Sequence, residues 1–144
     1  MIETTLVLLK PDCLADRHCG EVISRFEASG FEIVGCKMML LKDAELAEHY
    51  AHILERPFYP ELKSFMQSGP VIALALSGEN AVALLRDLVG PTDSRKAPKG
   101  TIRGDFGRDS MVNVVHGSDS PENAALELKR FFAENELFEV TGKR

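Results

Sequence analysis

The chain has 144 residues, with 17 Lys and Arg against 22 Asp and Glu and a net charge of −5. That length fits one domain of about 100–150 residues, and a composition 44% hydrophobic and 27% charged excludes disordered and fibrous classes. The acidic balance argues against non-specific nucleic-acid binding, which needs cations to displace phosphate counterions. No apolar run approaches the roughly 18–20 residues of a membrane span.

The opening MIETTLVLLKPD lacks the basic region of a signal peptide. Thr4–Lys10 reads as a buried strand stopped by Pro11. Glu21–Ser29 carries Val22, Ile23 and Phe26 at helical spacing, with Gly30 as a left-handed stop. Phe31–Leu41 is a second strand. Asp43 is expected to cap a helix with Leu46, Tyr50, Ile53 and Leu54 on one stripe, and a shorter helix starts at Pro60 with Leu62, Phe65 and Met66 inward. Val71–Leu76 is a third strand, interior on both faces. Asn80 is expected to cap a helix through Val89, Met111–Val115 is a fourth strand, and Ser120-Pro121 opens the last helix. The order β-α-β-(α-α)-β-α-β-α implies one α+β domain over residues 1–144, with a split β-α-β sheet of four strands covered on one face by helices.

Gly90–Ser110 stands apart, with four Gly and two Pro in 21 residues and no sustained period. Structureless loops beyond about 12–15 residues are uncommon in compact domains and usually functional. Arg95, Lys96, Lys99, Arg103 and Arg108 against Asp93, Asp105 and Asp109 make it locally basic, a place for an anion.

His116 is the sharpest chemical candidate. It ends a strand just before a capped helix, where backbone N–H groups and the helix dipole favour anions, and Gly117 lets a phosphate or backbone approach. Imidazole is appreciably neutral and nucleophilic near pH 7. His18, His49 and His52 lack such a setting and read as structural or solvated. Glu127 lies at the rim of the apolar face made by Ala124, Ala125, Leu128, Phe131 and Phe132, positioned to hold the His116 ring. Lys10, Arg86 and Arg103 are ordinary singly, but a triphosphate needs several converging cations. Neither G-x-x-x-x-G-K-[ST] nor G-x-G-x-x-G occurs, so side chains and the loop must hold any phosphate. Strand parity puts Asn113 and His116 on opposite faces, so the strand must end or twist between them if they share a site. Cys13, Cys19 and Cys36 form no C-x-x-C pair, which fits a reduced, cytoplasmic setting without structural zinc.

NVVHGSDS (Asn113–Ser120) resembles the active-site motif of nucleoside diphosphate kinases. LLKPD, HYAHILERPFYPEL, MQSGPVIALAL and GTIRGDF match further family segments in the right order, so the resemblance covers the chain from about Thr4 to Phe132. It implies a ferredoxin-like α+β sandwich with an antiparallel sheet. It also implies ping-pong transfer of the γ-phosphate of a nucleoside triphosphate, mainly ATP, to a nucleoside diphosphate through a phosphohistidine. On that resemblance His116 is the nucleophile, with Glu127 supporting the ring, Ser118 near the phosphate and Tyr50 close by. Lys10, Arg86, Thr92, Arg103 and Asn113 would bind phosphates and ribose, and Phe58 would stack on the base. Mg²⁺ would arrive on the nucleotide phosphates without a protein metal site, and the family forms tetramers and hexamers. The sequence departs from the pattern after Lys-Pro-Asp, where Cys13 replaces the usual Gly.

Three rivals are weaker. A sheet-surface RNA binder needs aromatics on its central strands, and TTLVLLK and MVNVV have none. A scaffold that had lost catalysis would lack the His or a phosphate-binding Arg, and all are present. A histidine-linked phosphatase finds no feature favouring water over a nucleotide acceptor.

Overall fold

The computed structural model describes residues 1–140. Four strands, β1 (Ile2–Leu9), β2 (Glu32–Met39), β3 (Val71–Glu79) and β4 (Val115–Gly117), form one sheet in the order β2-β3-β1-β4. Every neighbouring pair is antiparallel, as the ferredoxin-like split β-α-β arrangement requires. Seven α-helices connect and cover it: α1 (Pro11–Ala15), α2 (Cys19–Ala28), α3 (Asp43–His49), α4 (Tyr59–Met66), α5 (Ala81–Val89), α6 (Ile102–Phe106) and α7 (Pro121–Phe131). No described helix is long and apolar enough to cross a membrane.

Helices cover both faces of the sheet, not one as expected. Val7 and Leu9 of β1 pack with Val22 and Phe26 of α2, Leu85 of α5 and Ile102 of α6. Leu6 and Leu8 pack on the other side with Leu46 of α3, Met66 of α4 and Phe131 of α7. The cause is legible in β1 and β3, whose central residues are apolar at odd and even positions alike. A strand buried on one face alternates, whereas one buried on both does not. Each such aliphatic side chain contributes about 1.5–3 kcal/mol by leaving water.

Several local expectations need correction. Lys42, not Asp43, is the N-cap residue of α3; its N–H donates to Glu45 Oε1 at 2.8 Å. Asn80 occupies the N-cap of α5 in the left-handed region (φ 49°) but makes no side-chain cap. Glu3 reaches over from β1 instead and accepts the Val82 N–H at 3.2 Å. Ser120 does cap α7, accepting from Asn123 N at 3.1 Å, with Pro121 in the first turn. The fourth strand is three residues long and starts at Val115, because Asp109 Oδ1 takes the N–H groups of Met111 and Val112 at 2.8 and 2.7 Å and folds that segment into a turn. The 90–110 segment also contains α6, capped by Thr101 Oγ1 on Gly104 N at 3.0 Å. Short capped turns of this kind carry too little periodicity to be read from sequence.

Candidate active site

A pocket of about 810 Å³ opens at the β4 edge of the sheet, walled by residues of α3, α5 and α7 and by the 90–113 segment, within the usual range for small-molecule sites. Lys10, Tyr50, Phe58, Arg86, Thr92, Arg103, Asn113, His116 and Glu127 all line it. Ser118 does not: it is fully buried, and its hydroxyl donates to Glu127 Oε1 at 2.7 Å.

The backbone before His116 explains how Asn113 and His116 come to share this pocket. Val114 has φ 76°, and the Val115 N–H donates to the Asn113 carbonyl at 2.8 Å, the hydrogen bond of a γ-turn. A β-branched residue in this region is strained, at a cost of about 1–3 kcal/mol. Three contacts impose it. Val114 N–H donates to Asp12 Oδ2 at 3.0 Å, Lys10 N–H donates to Val114 O at 2.8 Å, and the Val114 side chain is fully buried. The turn resolves the parity conflict by rotating the chain by one residue before β4 begins. His116 then pairs with Leu8 and faces α3 and α7, while Val115 packs on the opposite side. A Cβ on Gly117 would lie 2.9 Å from Leu85 Cδ2, so the glycine makes room for a core side chain at the pocket wall.

His116 Nε2 lies 3.0 Å from Glu127 Oε1. A carboxylate only accepts, so the proton of the neutral ring sits on Nε2 and Nδ1 keeps its lone pair. Burial opposes the charge of Glu127, but the hydrogen bonds from His116 and Ser118 outweigh it and hold this carboxyl below the ordinary Glu range. The negative charge is therefore present, fixed and aimed at the ring.

His49 is structural, not solvated, of the two roles expected for it. It is 7% exposed, and its ring meets His116 edge-on at 4.5 Å between centroids. Arg130 Nη1 donates to His49 Nδ1 at 3.0 Å, which puts the His49 proton on Nε2, an atom without a hydrogen-bond partner among the described residues. Burial first, then the charge of His116, drops the His49 pKa to about 3, so this ring stays neutral. Arg130 Nε lies 3.2 Å from Glu48 Oε1 but off the hydrogen-bond line, so that pairing is ionic only. Neither His49 nor Arg130 could be found from sequence, because α3 and α7 meet only in the tertiary structure.

The cations are arranged differently from one another. Lys10 is 5% exposed, and its Nζ donates to Asn113 Oδ1 at 2.7 Å and Met111 O at 2.8 Å. Burial, partly offset by Asp12, lowers its pKa to about 8. Arg103 donates to the carbonyls of Gly90 (3.0 Å), Val115 (2.7 Å) and Asn113 (3.4 Å), and burial together with Arg86 lowers it to about 10. Arg86 is exposed at the pocket wall, and its side chain makes no hydrogen bond or ion pair among the described residues. Thr92 and Phe58 are also exposed, at the mouth. Three held cations, Lys10, Arg103 and Arg130, and one open one, Arg86, line a single pocket and form an anion site of the kind phosphates take.

Ligand atoms of His49, His116 and Glu127 lie within 4.8 Å of one another. The bound Arg130 cation and the nitrogen-rich donor set do not suit Mg²⁺, which takes oxygens. Of the other carboxylates on the pocket wall, Glu48 pairs with Arg130, and Asp119 stands exposed at the rim with Oδ1 accepting from Asn123 Nδ2 at 2.6 Å.

Residues 3–137 match the family model described as nucleoside diphosphate kinase. The nucleoside diphosphate kinase of Nitrosospira multiformis is 48% identical over 137 residues, covering 95% of this chain and 97% of the relative. That of Parabacteroides distasonis is 46% identical over 138 residues, covering 96% and 90%. The solved structure of a halophilic nucleoside diphosphate kinase from Halobacterium salinarum in complex with CDP superposes with a TM-score of 0.95 at 38% identity, over 99% of this chain and 95% of that one. A pocket of converging cations beside a carboxylate-held imidazole is thus set in a chain that matches one family over residues 3–137: it belongs to the nucleoside diphosphate kinases, enzymes that transfer phosphate from nucleoside triphosphates to nucleoside diphosphates.

Proposed function

We propose that this enzyme works by a ping-pong route in which His116 Nδ1 carries the phosphoryl group, and that residues 1–144 act as a single catalytic domain. The observation that carries the reading is the 3.0 Å contact of His116 Nε2 with Glu127. It occupies one ring nitrogen and leaves the lone pair on the other. In the first half-reaction Nδ1 attacks the γ-phosphorus, the bond to the bridging oxygen breaks, and the nucleoside diphosphate leaves with that electron pair. The phosphorylated ring gains positive charge, and Glu127 opposes it at contact distance. A β-phosphate oxygen of the second nucleotide then attacks phosphorus, and the P–N pair returns to Nδ1. Donor and acceptor are near-identical, so one site serves both directions.

Lys10, Arg86 and Arg103 bind the phosphates, Asn113 orients Lys10, and Thr92 offers a hydroxyl at the mouth. Phe58, 46% exposed, stacks on the base, which every base tolerates because each has a π-face; the halophilic relative, solved with CDP, binds such a nucleotide. Tyr50 borders His49 at 4.8 Å between centroids and closes the wall beside the reacting group. Mg²⁺ bound to the nucleotide phosphates supplies charge neutralisation of the transferring group. Asp119 is the carboxylate that would face it, since Glu48 and Glu127 are engaged. Catalysis by the chain itself is positioning and electrostatics. A cytoplasmic homo-oligomer, tetramer or hexamer, completes the proposal.

The test is labelling. Incubation with γ-labelled ATP should leave acid-labile, base-stable label on the protein, and GDP or CDP should remove it as GTP or CTP. His116→Gln should abolish labelling with the far-UV spectrum and melting temperature preserved. Full labelling of that folded variant would overturn the assignment.

A further inference from the structure

The Cys13 and Cys19 sulfurs lie 3.8 Å apart, in contact and unbonded. A tight reversal brings them together. Helix α1 ends at Ala15, Arg17 turns the chain through the left-handed region (φ 62°), and the His18 N–H returns to the Cys13 carbonyl at 3.0 Å. Cys19 is then the first residue of the ten-residue α2. Cys13 is fully buried beneath the sheet, whereas Cys19 is partly open to solvent. A disulfide needs S–S of about 2.05 Å, so closing the 3.8 Å gap draws the two sulfurs and the backbone that carries them together.

The first turn of α1 ties this pair to the phosphate pocket. Cys13 N–H donates to the Lys10 carbonyl at 2.9 Å. Asp12, between them, accepts from Val114 N at 3.0 Å, and Lys10 Nζ itself reaches Asn113 and Met111. Moving Cys13 therefore moves the backbone from which Lys10 projects.

We propose that Cys13 and Cys19 form a reversible intrachain disulfide when the protein meets a hydroperoxide, and that closing it shifts Lys10 and weakens nucleotide binding. The Cys19 thiolate sulfur attacks a peroxide oxygen, the O–O bond breaks, and the departing alkoxide or hydroxide takes a proton, leaving a sulfenic acid. The Cys13 sulfur then attacks the Cys19 sulfur. The S–O bond breaks, and the hydroxyl leaves as water with the Cys13 proton. Two thiols lose two electrons and the peroxide gains them. Cys19 goes first for three reasons. It is the more accessible, it sits at the positive end of α2, and although burial raises both thiols, the hydrogen bond from Cys13 offsets part of that rise at Cys19, whereas the Cys13 thiol is pushed far up.

The pocket half of this inference rests on the proposed role of Lys10; the disulfide half does not. The native full-length protein is treated with hydrogen peroxide, free thiols are alkylated, and trypsin, cutting after Arg17, separates the two cysteines. The expected product is one species joining the Cys13 and Cys19 peptides, lost on dithiothreitol treatment, formed equally by Cys36→Ser and absent from Cys19→Ser. The KM for ATP should rise several-fold in the linked protein and recover with dithiothreitol, while Cys19→Ser keeps its KM through peroxide treatment. Full alkylation of Cys13 after peroxide, or Cys19 sulfinic acid without a link, overturns the disulfide by mass alone, whatever the turnover. An unchanged KM in fully linked protein overturns the coupling to Lys10.

Discussion

Replacing Glu127 by Ala isolates the electrostatic part of the mechanism. The carboxylate accepts from His116 Nε2 at 3.0 Å and from Ser118 at 2.7 Å, and in the proposed mechanism positive charge grows on the ring as phosphorus transfers. Two unit charges about 4 Å apart interact by about 4 kcal/mol at an effective dielectric of about 20. Only part of that charge exists in the transition state, and water enters the vacated space. A loss of about 2–3 kcal/mol is therefore expected, a fall in kcat of about 30–150-fold. Glu127 touches no nucleotide-binding cation, so KM should hold. Glu127→Gln keeps an acceptor without the charge, and since charge-assisted hydrogen bonds are about twice as strong as neutral ones, its loss should be about tenfold. Rapid-quench measurement of the first half-reaction with labelled ATP reads the step directly. A rate equal to wild type in the Ala variant, or a rise in KM at constant kcat, would refute the argument that this carboxylate acts on the transition state.

The pocket makes three further predictions. Lys10 has its pKa lowered to about 8, so it loses its charge as pH rises through that value; kcat/KM should fall above pH 8, and Lys10→Arg should remove that limb because a guanidinium stays charged. Phe58→Ala should raise KM for ADP, GDP and CDP alike by up to about tenfold, toward the low end of the 1–3 kcal/mol typical of stacking because the ring is half-exposed; a base-selective effect would contradict a stacking role. His49, lowered to about 3, should show an unshifted imidazole NMR signal from pH 5 to 8. Its unfolded ring takes up a proton that the folded one refuses, so this residue contributes instability that appears as pH falls below about 6.5 and grows toward 3; in urea melts, His49→Gln should weaken that acid dependence.

Sequence and structure divide the site unevenly. The His-Gly-Ser-Asp run with a capped helix behind it, and the rim position of Glu127, were readable because strand and helix periods say which residues share a face. The doubly buried β1 and β3 were readable too, although their consequence, helices on both faces, follows only when the continuous apolar runs are taken literally. The segment 108–114 was not readable. Its course depends on Asp109 gathering two backbone N–H groups and on Asp12, about a hundred residues upstream, holding the Val114 N–H.

What the amino-acid order determined by itself is the inventory: an imidazole at a strand end, a carboxylate one helix away, three cations and an aromatic, with the family they signal. What only the tertiary structure decided is their relation. The left-handed Val114 turns Asn113 and His116 into one pocket against strand parity, burial brings Lys10 toward neutrality, and α3 carries His49 onto the His116 ring. The physical reason is that periodicity is a local property of the backbone. Strain, desolvation and contact between distant segments exist only once the core has closed around them.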